Sequence, residues 1–283
     1  KRFITFGTPS SVVASGTMIQ MLITQALLAG YVDMKAVGFF AAAQILASRA
    51  ISMPMVMLGR AVSANIFETY EKKSKDATDA ALRRHLSFLL LLVVPIGAPF
   101  IFSNNTIANL LFDGAFQGQV ALALPTLALA AILTGFQGAY LSFAFTLARK
   151  TKFQLYVMLS MIAVQSVFAF VFIRLLGAEG APLALLCTAL CSLTMYIIMG
   201  RRFGRMLVAG RREFFTAGLA VMAYIPFGYS ADQFAGTPWA VGLMLVGLLA
   251  AAGVFLLRRH SAMVETANRS TRMGRSLIVK TFR

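Results

Sequence analysis

Apolar residues run along this chain in eight blocks, at 9–31, 36–67, 86–102, 120–147, 153–176, 181–199, 214–229 and 238–257, with short polar joints between them. Most blocks approach or exceed the ~20 residues a helix needs to cross a bilayer. The seventh is the weakest, being short and interrupted by Pro226. This pattern predicts an all-α, polytopic membrane protein with about eight transmembrane helices. Block 36–67 breaks the apolar rule most clearly, because it holds Arg49, Pro54 and Arg60. An arginine at bilayer depth costs ~2.5–3.5 kcal/mol on insertion scales, a cost tolerated where it faces water or a bound anion.

Arg49 and Arg60 are eleven residues apart. They fall within about 20° of each other on an unbroken helix, and Ser52 and Ser63 share that face. Gln44 points elsewhere, about 140° from Arg49. Pro54 removes one backbone hydrogen bond and is expected to kink the helix. None of the ten acidic residues lies inside a predicted span, so Arg49 has no carboxylate partner at its own depth. Arg60 sits ~16 Å further along, near the interface, where snorkelling is the simpler account.

Composition agrees with the pattern. Of 283 residues, 59% are hydrophobic and 13% charged, with a mean hydropathy of +0.77. The net charge of +16 raises the thought of nucleic acid. Placement argues against it, since 22 of the 26 Lys and Arg residues fall before the first block, after the last, or in alternate joints. That asymmetry is the positive-inside pattern and predicts an even number of spans with both termini cytoplasmic. The opposite joints hold Asp33, Asp113, Glu179 and Asp232. Segment 68–84 is charged and helix-friendly, and is expected to lie along the cytoplasmic surface, attracting anionic lipids. His85 and His260 fall at the basic edge and read as part of a solvated boundary. The chain starts at Lys1 with no signal-peptide pattern, which reads as a piece of a longer chain cut at a cytoplasmic loop.

Polar residues inside the blocks are few. Ser10, Thr17, Gln20, Thr24 and Tyr31 form one stripe about 80° wide on a helical wheel. Such a stripe faces other helices or water, not lipid. Cavity lining and packing are equally open for it. Thr126, Thr134 and Gln137 form a weaker stripe beside Gly135 and Gly138, which permit close helix contact. For Gln137 and Gln165 the preferred reading is an interhelical hydrogen bond, worth ~0.6 kcal/mol.

Catalytic patterns are missing from the sequence: there is no HExxH, GxSxG or Walker-type GxxxxGK[ST]. Cys187 and Cys191 read as small packing residues, because two thiols alone make a poor metal site. The sequon Asn104-Asn105-Thr106 lies on the acidic side. No enzyme, metal or cofactor is expected.

Three stretches carry a resemblance. Ala36-Val37-Gly38-Phe39-Phe40, followed by Ala43, resembles a helix opening in polysaccharide exporters of the multidrug/oligosaccharidyl-lipid/polysaccharide superfamily. Leu110-Leu111-Phe112-Asp113-Gly114-Ala115-Phe116 resembles that family's LLFG-type loop. Gly177-Ala178-Glu179-Gly180-Ala181, continuing to Ala184, resembles its GAxGAAxA loop. Order and spacing agree over roughly residues 6–202. Two positions depart from the family pattern: Gln165 replaces a frequent Asn, and Pro182 a frequent Ala, the latter compatible with a helix's first turn.

The resemblance implies the C-terminal half of a two-lobed transporter. Residues 1–200 would be a six-helix lobe, 201–213 a basic linker, 214–257 an extra helix pair and 258–283 a basic tail. It implies a flippase moving polyprenyl-pyrophosphate-linked oligosaccharide across the bacterial inner membrane for polysaccharide biosynthesis. Its partners would be the lipid-linked glycan, membrane lipids and an N-terminal lobe of the same protein. Arg49, Ser52, Arg60, Ser10, Thr17, Gln20 and Thr24 are the candidate substrate contacts. The alternatives are a cation-coupled multidrug exporter of the same superfamily, which wants an intramembrane carboxylate, and a membrane glycan polymerase or ligase, which wants an acid/base pair in a large outer loop.

Overall fold

The computed structural model of the chain describes residues 2–72, 75–148, 151–202 and 211–254, with the side chains of residues 2–15, 75, 115, 151–152, 201 and 211–213 outside that description. The basic joint at 149–150, most of the linker, and the tail with His260 also lie outside it. All the regular structure among the described residues is helical, so backbone polar groups are satisfied within each segment, as a bilayer requires.

Helix α1 (Arg2–Tyr31) leads through a short turn into α2 (Met34–Ala47). Asp33 caps α2 from an extended backbone, its Oδ1 accepting from the Ala36 N–H at 2.6 Å. Block 36–67 then forms one continuous rod, from α2 through a π-type turn (Ser48–Ser52) into α3 (Met53–Lys72). The turn answers Pro54, whose missing N–H and bulky ring disrupt the bond to the carbonyl four residues back. In place of a simple kink the helix widens there, and the Met53 N–H bonds back five residues to the Ser48 carbonyl. Every fourth residue from Ala43 to Gly59 is consequently buried: Ala43, Ala47, Ile51, Met55 and Gly59. A strict α-helix would drift ~40° at each such step, and the wide turn takes up part of that drift.

Helix α4 (Lys75–Phe102) runs beside α3. Here the expectation of a surface-lying segment at 68–84 is corrected. The rods simply continue, packed on each other, because Ile66 and Thr69 of α3 and Thr78 and Leu82 of α4 form buried stripes. A short helix, α5 (Asn104–Leu111), follows, and then α6 (Ala115–Phe136) passes through a second π-type turn (Gln137–Leu141) into α7 (Ser142–Leu147). Helix α8 (Thr151–Leu176) stops at Gly177, which has φ +64°. One tight turn later, α9 (Gly180–Arg202) begins, with Pro182 in its first turn as expected. Any side chain at Gly180 would strike the Phe172 carbonyl. Helices α10 (Arg211–Gln233) and α11 (Pro238–Val254) complete the described chain, α10 continuing through Pro226.

The rods close into a bundle. Helix α1 lies along α8, α8 along α9, α9 along α6, α6 along α2, and α2 returns to α1; α4 packs against α3 and α6. The core between them holds Leu28, Phe40, Ile51, Leu86, Leu124 and Tyr140. Five helical stretches are long and apolar enough to cross a membrane: Met34–Lys72, Asp76–Phe102, Phe116–Leu147, Phe153–Gly200 and Phe214–Gln233. Phe153–Gly200 doubles back at Gly177, and Pro238–Val254 is a shorter apolar helix. The chain is an all-α polytopic membrane protein.

The last two helices are fastened to the bundle. Helix α10 packs on α4, with Tyr224 OH and Ser103 Oγ 2.9 Å apart and Ser103 Oγ donating to the Gly228 carbonyl at 3.1 Å. Asp232 caps α5 from across the fold, accepting from Asn105 N at 2.8 Å, Asn105 Nδ2 at 2.6 Å and Thr106 N at 3.2 Å.

Candidate functional site

The second rod has two faces. Its exposed strip carries Ile45, Arg49, Met53, Met57 and Arg60. Arg49 stands on the π-type turn, about 22 Å along the rod from Met34 at 1.5 Å per residue. Its Nη1 donates to the Met53 sulfur at 3.6 Å, and a thioether is a weak acceptor. Among the described residues the ion pair is Lys72–Glu68 at 3.0 Å, far from either arginine in sequence. A guanidinium offers five donors in a planar fork, so Arg49 keeps most of its capacity for an outside acceptor. Arg60 lies about 39 Å along the same rod, beyond the ~30 Å thickness of a bilayer core.

The hydroxyls beside these arginines are turned inward on their own helix. Ser52 Oγ donates to the Ser48 carbonyl at 3.0 Å, and Ser63 Oγ to the Arg60 carbonyl at 2.6 Å. Ser52 keeps its lone pairs for a donor, and it is half-buried.

The stripe on α1 divides. The Ser10 side chain lies outside the described residues. Thr17 is exposed and Gln20 half-buried. Thr24 is fully buried, donating to the Gln20 carbonyl at 2.9 Å and accepting from Gln165 Nε2 at 3.0 Å. The geometry therefore gives Thr24 a packing role between α1 and α8 and removes it from any solvent-facing surface. Tyr31 is edge-on to Phe170 at 5.8 Å, and Arg174 lies over both rings.

The remaining span polar groups serve packing. Gln137 Nε2 donates to the Ala189 carbonyl at 2.8 Å while its Oε1 accepts from Ser192 at 2.9 Å, tying the second π-type turn to α9. Gly135 and Gly138 allow the close approach read from the sequence: a Cβ at Gly135 would lie 3.1 Å from Ser52 Cα, and one at Gly138 would lie 3.1 Å from a Val56 methyl. Both cysteines are free, with Cys191 exposed. No group of three metal-ligating side chains occurs among the described residues.

His85 corrects the sequence reading. It is not solvated but buried, packed beside Tyr140 and edge-on to Phe143. Its Nε2 is 2.9 Å from the Ala139 carbonyl, which can only accept, so Nε2 carries the proton. Nδ1 has no partner among the described residues. The overlooked signal was spacing: Leu82, His85, Leu86, Leu89 and Val93 recur at helical intervals and all are buried.

At the end of the bundle carrying Asp33, Asp113 and Asp232, the three stretches quoted for the resemblance meet. Phe39 packs edge-on to Phe116 at 4.6 Å. Ala36, Phe39 and Phe40 face Ala178, Glu179 and Pro182 across a cavity of about 240 Å³. No protein-family model matches the chain, and no curated protein is significantly similar to it.

Proposed function

We propose that this protein exports lipid-linked oligosaccharide, flipping a polyprenyl-pyrophosphate glycan across the bacterial inner membrane by alternating access of two lobes. The observation that carries this reading is Arg49, exposed in the middle of an apolar rod with one thioether as its described side-chain partner. A guanidinium binds phosphate through parallel charge-assisted bonds, and at that depth an anionic head group offsets the cost of the charge. The polyprenyl tail stays in lipid while the polar head passes along the arginine face. Ser52, Gln20 and Thr17 extend that route, with Arg60 receiving the head group near the cytoplasmic interface. Ser10 belongs to the same proposed lining.

The basic joints support an orientation with the ends of α3 and α9 in the cytoplasm and Asp33, Asp113, Glu179 and Asp232 outside. In this reading α1 to α9 form one lobe, α10 and α11 an appended pair, and a second lobe of the same protein faces Arg49. The resemblance of the three quoted stretches to polysaccharide exporters supports the substrate class.

The test is export by the natural full-length protein carrying Arg49→Ala or Arg49→Lys. Export falls about tenfold or more in Arg49→Ala, with Arg49→Lys intermediate because a point charge replaces the fork. Unchanged export in both variants reduces Arg49 to structure.

A further inference from the structure

The half-open cavity at the acidic end has a lining that mixes aromatic rings with hydrogen-bonding groups. Phe39, Phe40, Gln119, Thr126 and Glu179 line it, from α2, α6 and the turn before α9. We propose that it holds one neutral sugar ring of the transported glycan on the outer side, a claim that rests on the exporter reading.

Size sets the first limit. A cavity of about 150 Å³ accommodates benzene, and drug-sized ligands take ~300–1,000 Å³. The volume here, about 240 Å³, suits a single six-membered ring with its substituents.

Shape and polarity set the second. Phe40 is buried and Phe39 is braced edge-on by Phe116 at 4.6 Å, so the aromatic wall is held in place before any ligand arrives. The electron-rich face of such a ring attracts the weakly positive C–H face of a pyranose. Gln119 and Glu179 are exposed and Thr126 is half-buried. Amide, carboxylate and hydroxyl together match the paired donors and acceptors of vicinal sugar hydroxyls. An entirely apolar ligand would strip water from these three groups without replacing their hydrogen bonds.

Charge sets the third. Glu179 is the one charged group in the lining, and it has no ion-pair partner among the described residues. Arg174, five residues earlier, is held instead over Tyr31 and Phe170, at 5.7 and 5.4 Å from their ring centres. The carboxylate is therefore uncompensated and repels phosphate and uronate. The protein thus separates the two halves of its cargo: the arginine face takes the pyrophosphate, and this cavity takes neutral sugar.

The experiment is saturation-transfer NMR on the natural full-length protein in lipid nanodiscs. The probes are methyl β-glucopyranoside, methyl α-mannopyranoside, methyl N-acetyl-β-glucosaminide, glucuronate and methyl phosphate. Transfer is expected to at least one neutral glycoside, with glucuronate and methyl phosphate about tenfold weaker. It falls about tenfold in Glu179→Leu, which removes charged hydrogen bonds, and to a similar extent in Phe39→Ala. The gentler Thr126→Val lowers it about threefold and guards against misfolding of the other two. No transfer to any neutral glycoside, equal transfer in all three variants, or glucuronate binding as strongly as the neutral probes each overturns the proposal. Export by the Arg49 variants, measured alongside, keeps the two claims apart. Lost export without glycoside binding defeats the sugar subsite alone. Glycoside binding with export indifferent to Arg49 defeats the pyrophosphate route alone.

Discussion

The two faces of the α2–α3 rod are built from the same stretch of sequence and behave in opposite ways. On the inner face, Ala43, Ala47, Ile51, Met55 and Gly59 bring neighbouring backbones into contact, and a Cβ at Gly59 would lie 2.9 Å from Ala139 Cα. Nearby, the Ala139 carbonyl in the second π-type turn is taken up by His85. On the outer face, Arg49 makes one weak bond within its own helix and Arg60 stands exposed. The packed seam uses its polar groups on itself, whereas the outer face leaves its guanidinium groups exposed. The stripe on α1 also divides by burial, since Thr24 is fully buried against Gln165 and Thr17 is exposed.

Mutations on the two faces are expected to separate stability from transport. The largest effect belongs to Gly59→Val. The obstructing atoms are Ala139 backbone, which cannot swing aside, so overpacking costs about 3 kcal/mol. Thermal melting in detergent, followed by size-exclusion fluorescence, should show a lowered transition or no folded protein; a wild-type transition would mean the seam is loose. His85→Leu comes next. It leaves the buried Ala139 carbonyl without its side-chain donor, at about 2 kcal/mol. His85→Gln, which keeps an N–H donor, should recover part of the melting temperature; equal losses in both would argue that ring packing, not the hydrogen bond, matters.

Arg49→Ala should do the reverse. Its melting temperature stays within the ~0.5 kcal/mol of an ordinary surface change, while export falls by about tenfold, equivalent to about 1.4 kcal/mol. A destabilised but transport-competent Arg49→Ala would erase the contrast between the faces. The smallest effect is Gln165→Leu. One interhelical bond to Thr24 is worth ~0.6 kcal/mol, and Gln165 Oε1 already lacks a partner among the described residues. A double change with Thr24→Val should add almost nothing beyond either single change.

Much of this architecture was legible in the residues. The eight apolar blocks mark the rods because hydrocarbon length and backbone satisfaction leave a chain few alternatives. Gly135 and Gly138 announced a close crossing, and Gln137 and Gln165 their interhelical bonds. Segment 68–84 was misread because its charges hid a buried stripe through Ile66, Thr78 and Leu82. His85 was misread for a related reason: neighbouring Arg83 and Arg84 suggest a wet edge, while its own helical position points inward.

The sequence by itself determined that this is a helical membrane protein, where the apolar middle of most rods lies, and that one rod carries an arginine with no carboxylate at its depth. Hydropathy, caps and charge act over a few residues, so these features need no neighbours. Tertiary structure alone decided which polar groups are already partnered, because a hydrogen bond between Thr24 and Gln165 spans 141 residues of chain. It also decided that Phe39, Gln119 and Glu179 surround one cavity, since three distant segments share a wall only once the bundle has closed.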